Sequence, residues 1–363
     1  MEKVLEVHLG HPPEEKNMAC AVLSLPAMPY ELKDALDKVR VSQGGDMTVK
    51  ITQSAPDADF LADYMEEGIH KVPSLFLMNA LAEKIARMNP PECRTFADMV
   101  RTDAESEAVP VSTARLYDLA SSMDCWPVVS EASRDFTPRE PDYAVLLEVR
   151  RREHTASLKM PADPEEMAAV LNVLAAADWP DVTFRCVDCG IPALAGAITE
   201  DGNAVHASHA ARILKNLSGR QIPVYQALLA ARGVPELRQA LEMIDWLDKY
   251  ILTPEYASPT DVGLSHLRNL VGDDEAEQML PYVDLHGFGE SMIRRFHYIM
   301  TPYSAIEHRD GEPLWETFEA QRKSRRKQSD KALPETSGDV LMNSGGALPC
   351  HQLWRGEKNG KSV

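Results

Sequence analysis

One stretch of this sequence occurs twice, and the duplication constrains the fold more than any other feature. Ala21–Val39 and Ala156–Leu174 share alternating apolar residues, two prolines and then apolar residues at helical spacing, with an offset of 135 residues. Alternation predicts a strand, and apolar positions three and four residues apart predict a helix. The same offset places Met47–Ile51 on Val182–Cys186, a further alternating segment. The chain is therefore predicted to contain two related repeats.

The predicted fold class is α+β. Each repeat is expected to contain a small antiparallel sheet with one helix, followed by a helical bundle. The predicted boundaries are 1–56 and 57–136 for the sheet and the acidic bundle of the first repeat, 142–191 and 192–252 for the sheet and the bundle of the second repeat, 253–311 for a C-terminal α+β segment, and 312–363 for a tail that is mostly disordered. We call 1–136 the first repeat, 142–252 the second repeat and 253–311 the C-terminal segment.

Helix ends are predicted from polar caps and glycines. Ser74, Ser112 and Ser258 each precede a run with helical periodicity, and each is an expected N-cap. Gly287 and Gly289 are expected to end a helix, because glycine is the usual residue just after a helical C-terminus.

The charge balance limits the choice of partner. The chain has 56 acidic against 38 basic residues, and residues 1–311 alone carry 49 acidic and 29 basic residues. Such a surface argues against direct binding of nucleic acid, which needs Lys and Arg at the phosphates, and it suits a partner with a basic surface. Acidity that serves solubility alone is the alternative interpretation.

Compartment is inferred from cysteines and hydropathy. Six cysteines in 363 residues do not indicate a disulfide framework. The first residues lack the apolar run of a signal peptide, and no stretch approaches the ~18 apolar residues of a membrane span. We therefore expect a cytoplasmic protein without membrane contact.

The motifs of common catalytic sites are missing from the sequence. Cys186-Val-Asp-Cys189 has metal or redox spacing, but a structural zinc site needs a second pair or added histidines, so an inert, core-lining pair is favoured. No phosphate-binding glycine motif and no nucleophile elbow occurs. We expect no enzyme, no cofactor and no metal. The basic run Arg322–Lys327 is expected to be a solvated helix end or tail, with nucleic-acid contact as the alternative.

Acidic residues cluster more densely than the average composition requires. Carboxylates at helical spacing lie roughly 5–6 Å apart, so a bundle can imitate the phosphate row of DNA, which has one charge per ~1.7 Å. Asp103, Glu105 and Glu107 are expected in a connection between helices. The candidate partner-binding carboxylates are Asp57, Asp59, Asp63, Glu66, Glu67, Asp103, Glu105 and Glu107 in the first repeat, and Asp273, Asp274, Glu275 and Glu277 after the second bundle.

Several segments, in the right order, resemble the ArdA antirestriction proteins. Tyr282–Glu290 (YVDLHGFGE) is similar to the Y-I-D-Y-E-A-Y-G-R-D segment of that family, and Met300–Ile306 (MTPYSAI) resembles its F-T-x-x-G-Y-I ending. Leu77–Ala82 resembles the family's L-N-x-L-A helix, and Leu116–Cys125 resembles the next helix, which ends in D-C. The matching residues are Asn79, Leu81, Asp124, Tyr282, Asp284, Phe288, Gly289, Thr301 and Tyr303.

This resemblance covers roughly residues 1–310 and implies two ArdA-like units, the first of them truncated. It also implies a non-enzymatic DNA mimic that is encoded on mobile elements such as conjugative transposons. Such a protein occupies the DNA-binding groove of Type I restriction–modification enzymes, usually as a homodimer. The alternative is an accessory or scaffold protein of a conjugative element that keeps the fold without mimicry. An enzyme with an unrecognised site is disfavoured.

Overall fold

Alternating apolar residues build a sheet at the start of each repeat. The computed structural model describes residues 2–12, 19–41, 45–65, 67–106, 110–123, 136–137, 140–233 and 236–313. In the first repeat, the leading elements are β1 (Leu5–Gly10), β2 (Cys20–Leu25), α1 (Pro29–Val39) and β3 (Asp46–Ser54). Leu5, Val7 and Leu9 all point into the core, as their period of two requires. β2 and α1 match the strand and helix predicted in Ala21–Val39, and β3 contains the strand predicted at Met47–Ile51.

A fourth strand completes the first sheet. After α2 (Leu61–Tyr64), β4 (Gly68–Lys71) pairs antiparallel with β3, which gives the strand order β2-β1-β3-β4. The sequence analysis did not predict β4. Its four residues are too few to show a clear alternation, and the backbone of β3 defines its position.

Three longer helices form the bundle of the first repeat: α3 (Val72–Ile85), α4 (Pro90–Ser106) and α5 (Thr113–Ser122). Ser112 caps α5 as predicted, since its hydroxyl accepts a hydrogen bond from the Arg115 amide. The prediction for Ser74 is wrong, because α3 begins at Val72 and Ser74 lies inside its first turn. Pro73 at the second helical position needs no N–H partner, so the helix can begin earlier.

The second repeat begins with the same arrangement. Its elements are β5 (Val145–Arg151), β6 (His154–Met160), α6 (Pro164–Val173) and β7 (Thr183–Cys189), with the strand order β6-β5-β7. The helices that follow are α7 (Ala195–Asp201), α8 (Ala204–Lys215), α9 (Gln221–Arg232) and α10 (Leu237–Ile244). The proline after the second strand follows a cis peptide bond in both repeats, at Leu25-Pro26 and Met160-Pro161.

Both repeats also carry a β-bulge at the same place. The pairing of β1 with β3 shifts by one residue after Glu6, and the pairing of β5 with β7 shifts after Leu146. The amide of the residue at the bulge donates to a side chain in each case: Ile51 to Glu67, and Cys186 to Thr199, both at 2.9 Å. The bulge is therefore a property of the repeated unit.

The C-terminal segment is a helical hairpin on a small sheet. Its elements are α11 (Pro259–Val271), α12 (Asp273–Met279), α13 (Leu285–Phe296), β9 (Ile299–Met300) and β10 (Ala305–His308). The sheet also contains β8 (Tyr250–Thr253), which begins at the end of the second repeat, and its strand order is β8-β10-β9. Ser258 caps α11 as predicted. The described residues thus form an α+β fold with three small antiparallel sheets, which confirms the predicted fold class. No helix among them has the length and hydropathy needed to cross a membrane.

The prediction that Gly287 and Gly289 end a helix is wrong, because both lie inside α13. A Cβ on Gly289 would lie 1.7 Å from the Pro259 carbonyl oxygen, and one on Gly263 would lie 2.2 Å from that of Leu285. These glycines therefore allow α11 and α13 to pack backbone against backbone.

Candidate partner-binding surface

The first acidic cluster lies on the connection between β3 and β4. Asp57, Asp59 and Asp63 are all exposed, and none forms an ion pair with another described residue. The apolar residues between them hold the connection in place, since Phe60 is buried and its ring lies 5.6 Å from that of Phe96 in α4. This part of the chain presents carboxylates to solvent on a well-anchored backbone.

Glu67 and Glu105 are exposed as well, but their surroundings differ. The Glu67 carboxylate accepts the hydrogen bond from the Ile51 amide at the bulge, so it also serves the sheet. Glu105 lies on α4 and not in a connection, which corrects its predicted location. Both can contribute negative charge to the surface.

Asp103 does not belong to this surface. It also lies on α4, it is only 8% exposed, and Arg115 Nε donates to its two carboxylate oxygens at 3.0 and 3.1 Å. The hydrogen bond from Arg115 lowers the pKa of the Asp103 carboxyl below its usual value. Arg115 neutralises this charge, so the predicted role of Asp103 as an exposed phosphate substitute is wrong.

The second acidic cluster lies on α12 and is partly neutralised. Asp273, Asp274, Glu275 and Glu277 are all exposed. Arg268 Nε lies 3.6 Å from Asp273 Oδ1, and an Arg268 terminal nitrogen lies 3.0 Å from Glu277 Oε1. Asp274 and Glu275 form no ion pair with any other residue that the structure describes.

Four other predictions fall outside the described residues. They concern Glu66, Glu107, Asp124 and the basic run Arg322–Lys327. The predicted tail after Pro313 lies outside them as well.

Asn79 and Leu81, two of the residues that resemble the ArdA motifs, are part of the core of the first repeat. Asn79 on α3 is buried; its amide oxygen accepts from the Ala27 amide at 2.6 Å, and its amide nitrogen donates to the Ala27 carbonyl at 3.2 Å. Leu81 is fully buried in the core. Asn79 therefore joins α3 to the two-proline turn, and Leu81 contributes to the apolar core.

The motif residues of the C-terminal segment are mostly structural too. Asp284 caps α13 through the Gly287 amide at 3.0 Å, while Gly289 allows the close helix contact and Phe288 is half-buried beside it. Thr301 Oγ1 donates to the Ser304 carbonyl at 2.6 Å inside the last turn. Tyr282 differs, because 88% of its surface is exposed.

A buried polar junction joins the two repeats to the C-terminal segment. Asp34 on α1 accepts hydrogen bonds from the Tyr303 hydroxyl and, at 3.1 Å, from Gln226 on α9. Lys38 Nζ forms an ion pair with Asp34 Oδ2 at 2.7 Å. Burial, followed by the Asp34 charge, raises the pKa of Tyr303 well above its usual value. Sequence analysis missed this junction, because its partners lie far from Asp34 along the chain.

No described group of three or more His, Cys, Asp and Glu side chains could hold a metal ion. A scan against models of protein families finds no match, and a search of curated proteins finds no significantly similar sequence. The resemblance to the ArdA proteins therefore stays a prediction.

Proposed function

We propose that this protein is an antirestriction protein, a non-catalytic DNA mimic that occupies the DNA-binding groove of Type I restriction–modification enzymes. The observation that carries the proposal is the pair of exposed acidic clusters, in which Asp57, Asp59, Asp63, Asp274 and Glu275 have no cationic partner among the described residues. The resemblance of the chain to the ArdA proteins supports the same function.

Electrostatics explains how such a surface would compete with DNA. A groove that binds DNA is lined with Lys and Arg, and its potential attracts any matching row of negative charge. Carboxylates held on short anchored helices lose little conformational freedom when they bind. The target enzymes act on DNA inside the cell, so the proposed protein acts in the cytoplasm. Following the ArdA resemblance, the proposal also includes a mobile element that encodes the protein and a homodimer as its active form.

A cluster-specific charge change tests the proposal. Asp57, Asp59 and Asp63 are replaced together by Asn, and the inhibition of DNA cleavage by a Type I enzyme is measured. The matched control removes three charges from scattered exposed positions with Glu153→Gln, Glu242→Gln and Asp248→Asn. We expect at least a tenfold weaker inhibition, about 1.4 kcal/mol, for the cluster variant alone. Equal inhibition by both variants would exclude this cluster from the interface.

The second cluster is tested by charge reversal. A basic groove would repel a variant with Asp273→Lys, Asp274→Lys, Glu275→Lys and Glu277→Lys, so we expect inhibition to be abolished. Unchanged inhibition would remove this cluster from the interface.

An accessory or scaffold protein is the second candidate function, and one observation favours it. The end of α11, α12 and the turn after it expose four large apolar residues, Leu270, Val271, Met279 and Tyr282. Exposed apolar groups on neighbouring elements are typical of a protein–protein contact. A salt series separates the two functions, because mimicry weakens steeply with salt and an apolar contact does not.

A further inference from the structure

The bulge in β7 changes which side chains share a face of the second sheet. Residues three apart in a regular strand point to opposite faces. Here Cys186 pairs with Leu147 and Cys189 pairs with Val145, while Val187 is the extra residue. Leu147 and Val145 are two residues apart on β5, so their side chains point to the same face of the sheet. The residue that pairs with each of them on β7 points to that face as well. Cys186 and Cys189 therefore lie side by side.

The two thiols are neighbours on one face of the sheet but differ in their access to solvent. Cys189 is 1% exposed, whereas Cys186 is half-buried, and both are free thiols. Cys186 Sγ donates to the Asp188 carbonyl at 3.4 Å. The neighbouring Cys186 thiol, followed by burial, raises the pKa of the Cys189 thiol. A reagent from solvent thus reaches Cys186 first.

The first repeat shows that the fold itself does not require these cysteines. Ile51 and Ser54 occupy the equivalent positions on β3, next to the equivalent bulge. Their partners on β1 are Val7 and Leu5, the counterparts of Leu147 and Val145. An apolar residue and a small polar residue therefore satisfy the same packing, so two neighbouring thiols on this face are a specific feature of the second repeat.

We propose that Cys186 and Cys189 form a redox-modification site that closes to an intramolecular disulfide by exchange with a low-molecular-weight disulfide of the glutathione class. The Cys186 thiolate attacks one sulfur of that disulfide and releases one thiolate, which leaves a mixed disulfide on Cys186. Cys189 then loses its proton to solvent and attacks the Cys186 sulfur. The second small thiol leaves, so two protein thiols are oxidised and one small disulfide is reduced to two thiols.

The proposal differs from the expectation of an inert pair, which was based on the core-facing position of Cys186 and on the lack of a second pair for zinc. Neither argument considers two thiols that the bulge places on the same face of the sheet.

The test uses the native full chain with oxidised glutathione at mildly alkaline pH. Remaining thiols are alkylated, and the protein is digested with trypsin; both cysteines fall in the peptide Cys186–Arg212. We expect this peptide to lose two hydrogen atoms and both alkylation sites. The exposed Cys20 should take up glutathione and serves as the internal control. A doubly alkylated Cys186–Arg212 peptide, under conditions that modify Cys20, would overturn the proposal.

Two variants assign the order of the steps. Cys189→Ser should stop the reaction at the mixed disulfide, so glutathione accumulates on the peptide that carries Cys186. Cys186→Ser should leave Cys189 reduced, because that thiol is buried. Glutathione on Cys189 of a folded Cys186→Ser variant, at the rate seen for Cys20, would contradict the assigned order.

Discussion

The two repeats begin with the same helix in very different surroundings. In α1, four residues are buried: Leu32, Asp34, Ala35 and Val39. In α6, which follows the same two-proline turn, no residue is buried, and Val173 is 73% exposed. A duplicated pattern therefore predicts the same element twice, but it does not predict what covers that element.

Polar contacts of α1 and its C-terminal end account for part of the difference. Tyr30 donates to the Tyr143 carbonyl at 2.7 Å, Asp34 accepts from Gln226, and Arg40 Nε donates to the Tyr303 carbonyl at 3.1 Å. The positions equivalent to Tyr30, Asp34 and Arg40 in the second repeat hold Glu165, Ala169 and Ala175. The rest of the chain thus contacts α1 of the first repeat, whereas the outer face of α6 is exposed to solvent.

Truncation of equivalent residues in α1 and α6 should give the largest difference in the free energy of unfolding. Leu32→Ala removes a side chain that is 2% exposed, so we expect a loss of about 3 kcal/mol in the free energy of unfolding. Met167→Ala at the equivalent, half-buried position of α6 should cost about 1 kcal/mol. Urea denaturation of both variants measures the difference. Equal losses would show that the two helices are equally enclosed.

A buried carboxyl distinguishes the repeats by pH. Asp188 is 2% exposed and accepts from the Tyr143 hydroxyl at 2.7 Å, while the equivalent Gln53 is exposed. Burial raises the pKa of Asp188 to about 6 from an unfolded value near 4. Between these values the native state binds more protons, so stability falls as pH rises from 4 to 6, by up to about 3 kcal/mol.

Asp188→Asn should remove this component of the pH dependence, and Asp274→Asn, at an exposed carboxyl, is the control. Unfolding by urea at several pH values gives the two difference curves relative to the unmodified protein. A flat difference curve for Asp188→Asn between pH 4 and 6 would rule out the raised pKa.

Removal of the hydrogen bonds between the bundle and the two-proline turn should give a smaller difference in stability between the two repeats. Asn79 makes two hydrogen bonds to the Ala27 backbone, whereas Ser208 makes one, to the equivalent Ala162 carbonyl at 3.2 Å. We expect Asn79→Ala to cost about 2 kcal/mol and Ser208→Ala about 1 kcal/mol. Thermal unfolding of each variant measures the two losses in stability. A larger loss for Ser208→Ala would reverse this part of the comparison.

Substitution by glycine of the residues that follow α1 and α6 should change the stability of the protein in opposite directions. Arg40 and Ala175 are equivalent, and both have positive φ, at 63° and 51°. Ala175→Gly relieves the left-handed conformation and should stabilise the protein by about 0.5–1 kcal/mol. Arg40→Gly gains the same relief but loses the hydrogen bonds to the Tyr303 and Pro254 carbonyls, so we expect a net loss of about 1 kcal/mol. Stabilisation by both substitutions would mean that the Arg40 contacts contribute little.

Local patterns were sufficient to predict β2, α1 and β3, their counterparts β6, α6 and β7, and the capped starts of α5 and α11, because alternation, two-proline turns and serine caps act within a few residues. They did not predict β4 or the start of α3. The features they missed depend on distant partners. Asp34 falls on the polar side of the α1 pattern, yet Gln226 and Tyr303 bury it. The sequence does not show that Arg115 pairs with Asp103. It also does not show that Gly289 lies where α11 crosses α13.

The most direct test of the proposed function is a competition experiment. The full chain is titrated into a Type I restriction–modification enzyme bound to labelled DNA, at a low and a high salt concentration. DNA mimicry predicts displacement of the DNA at near-stoichiometric protein, with much weaker displacement at high salt because both surfaces are screened. DNA that stays bound at every protein concentration, with several such enzymes, would contradict mimicry and favour the accessory protein.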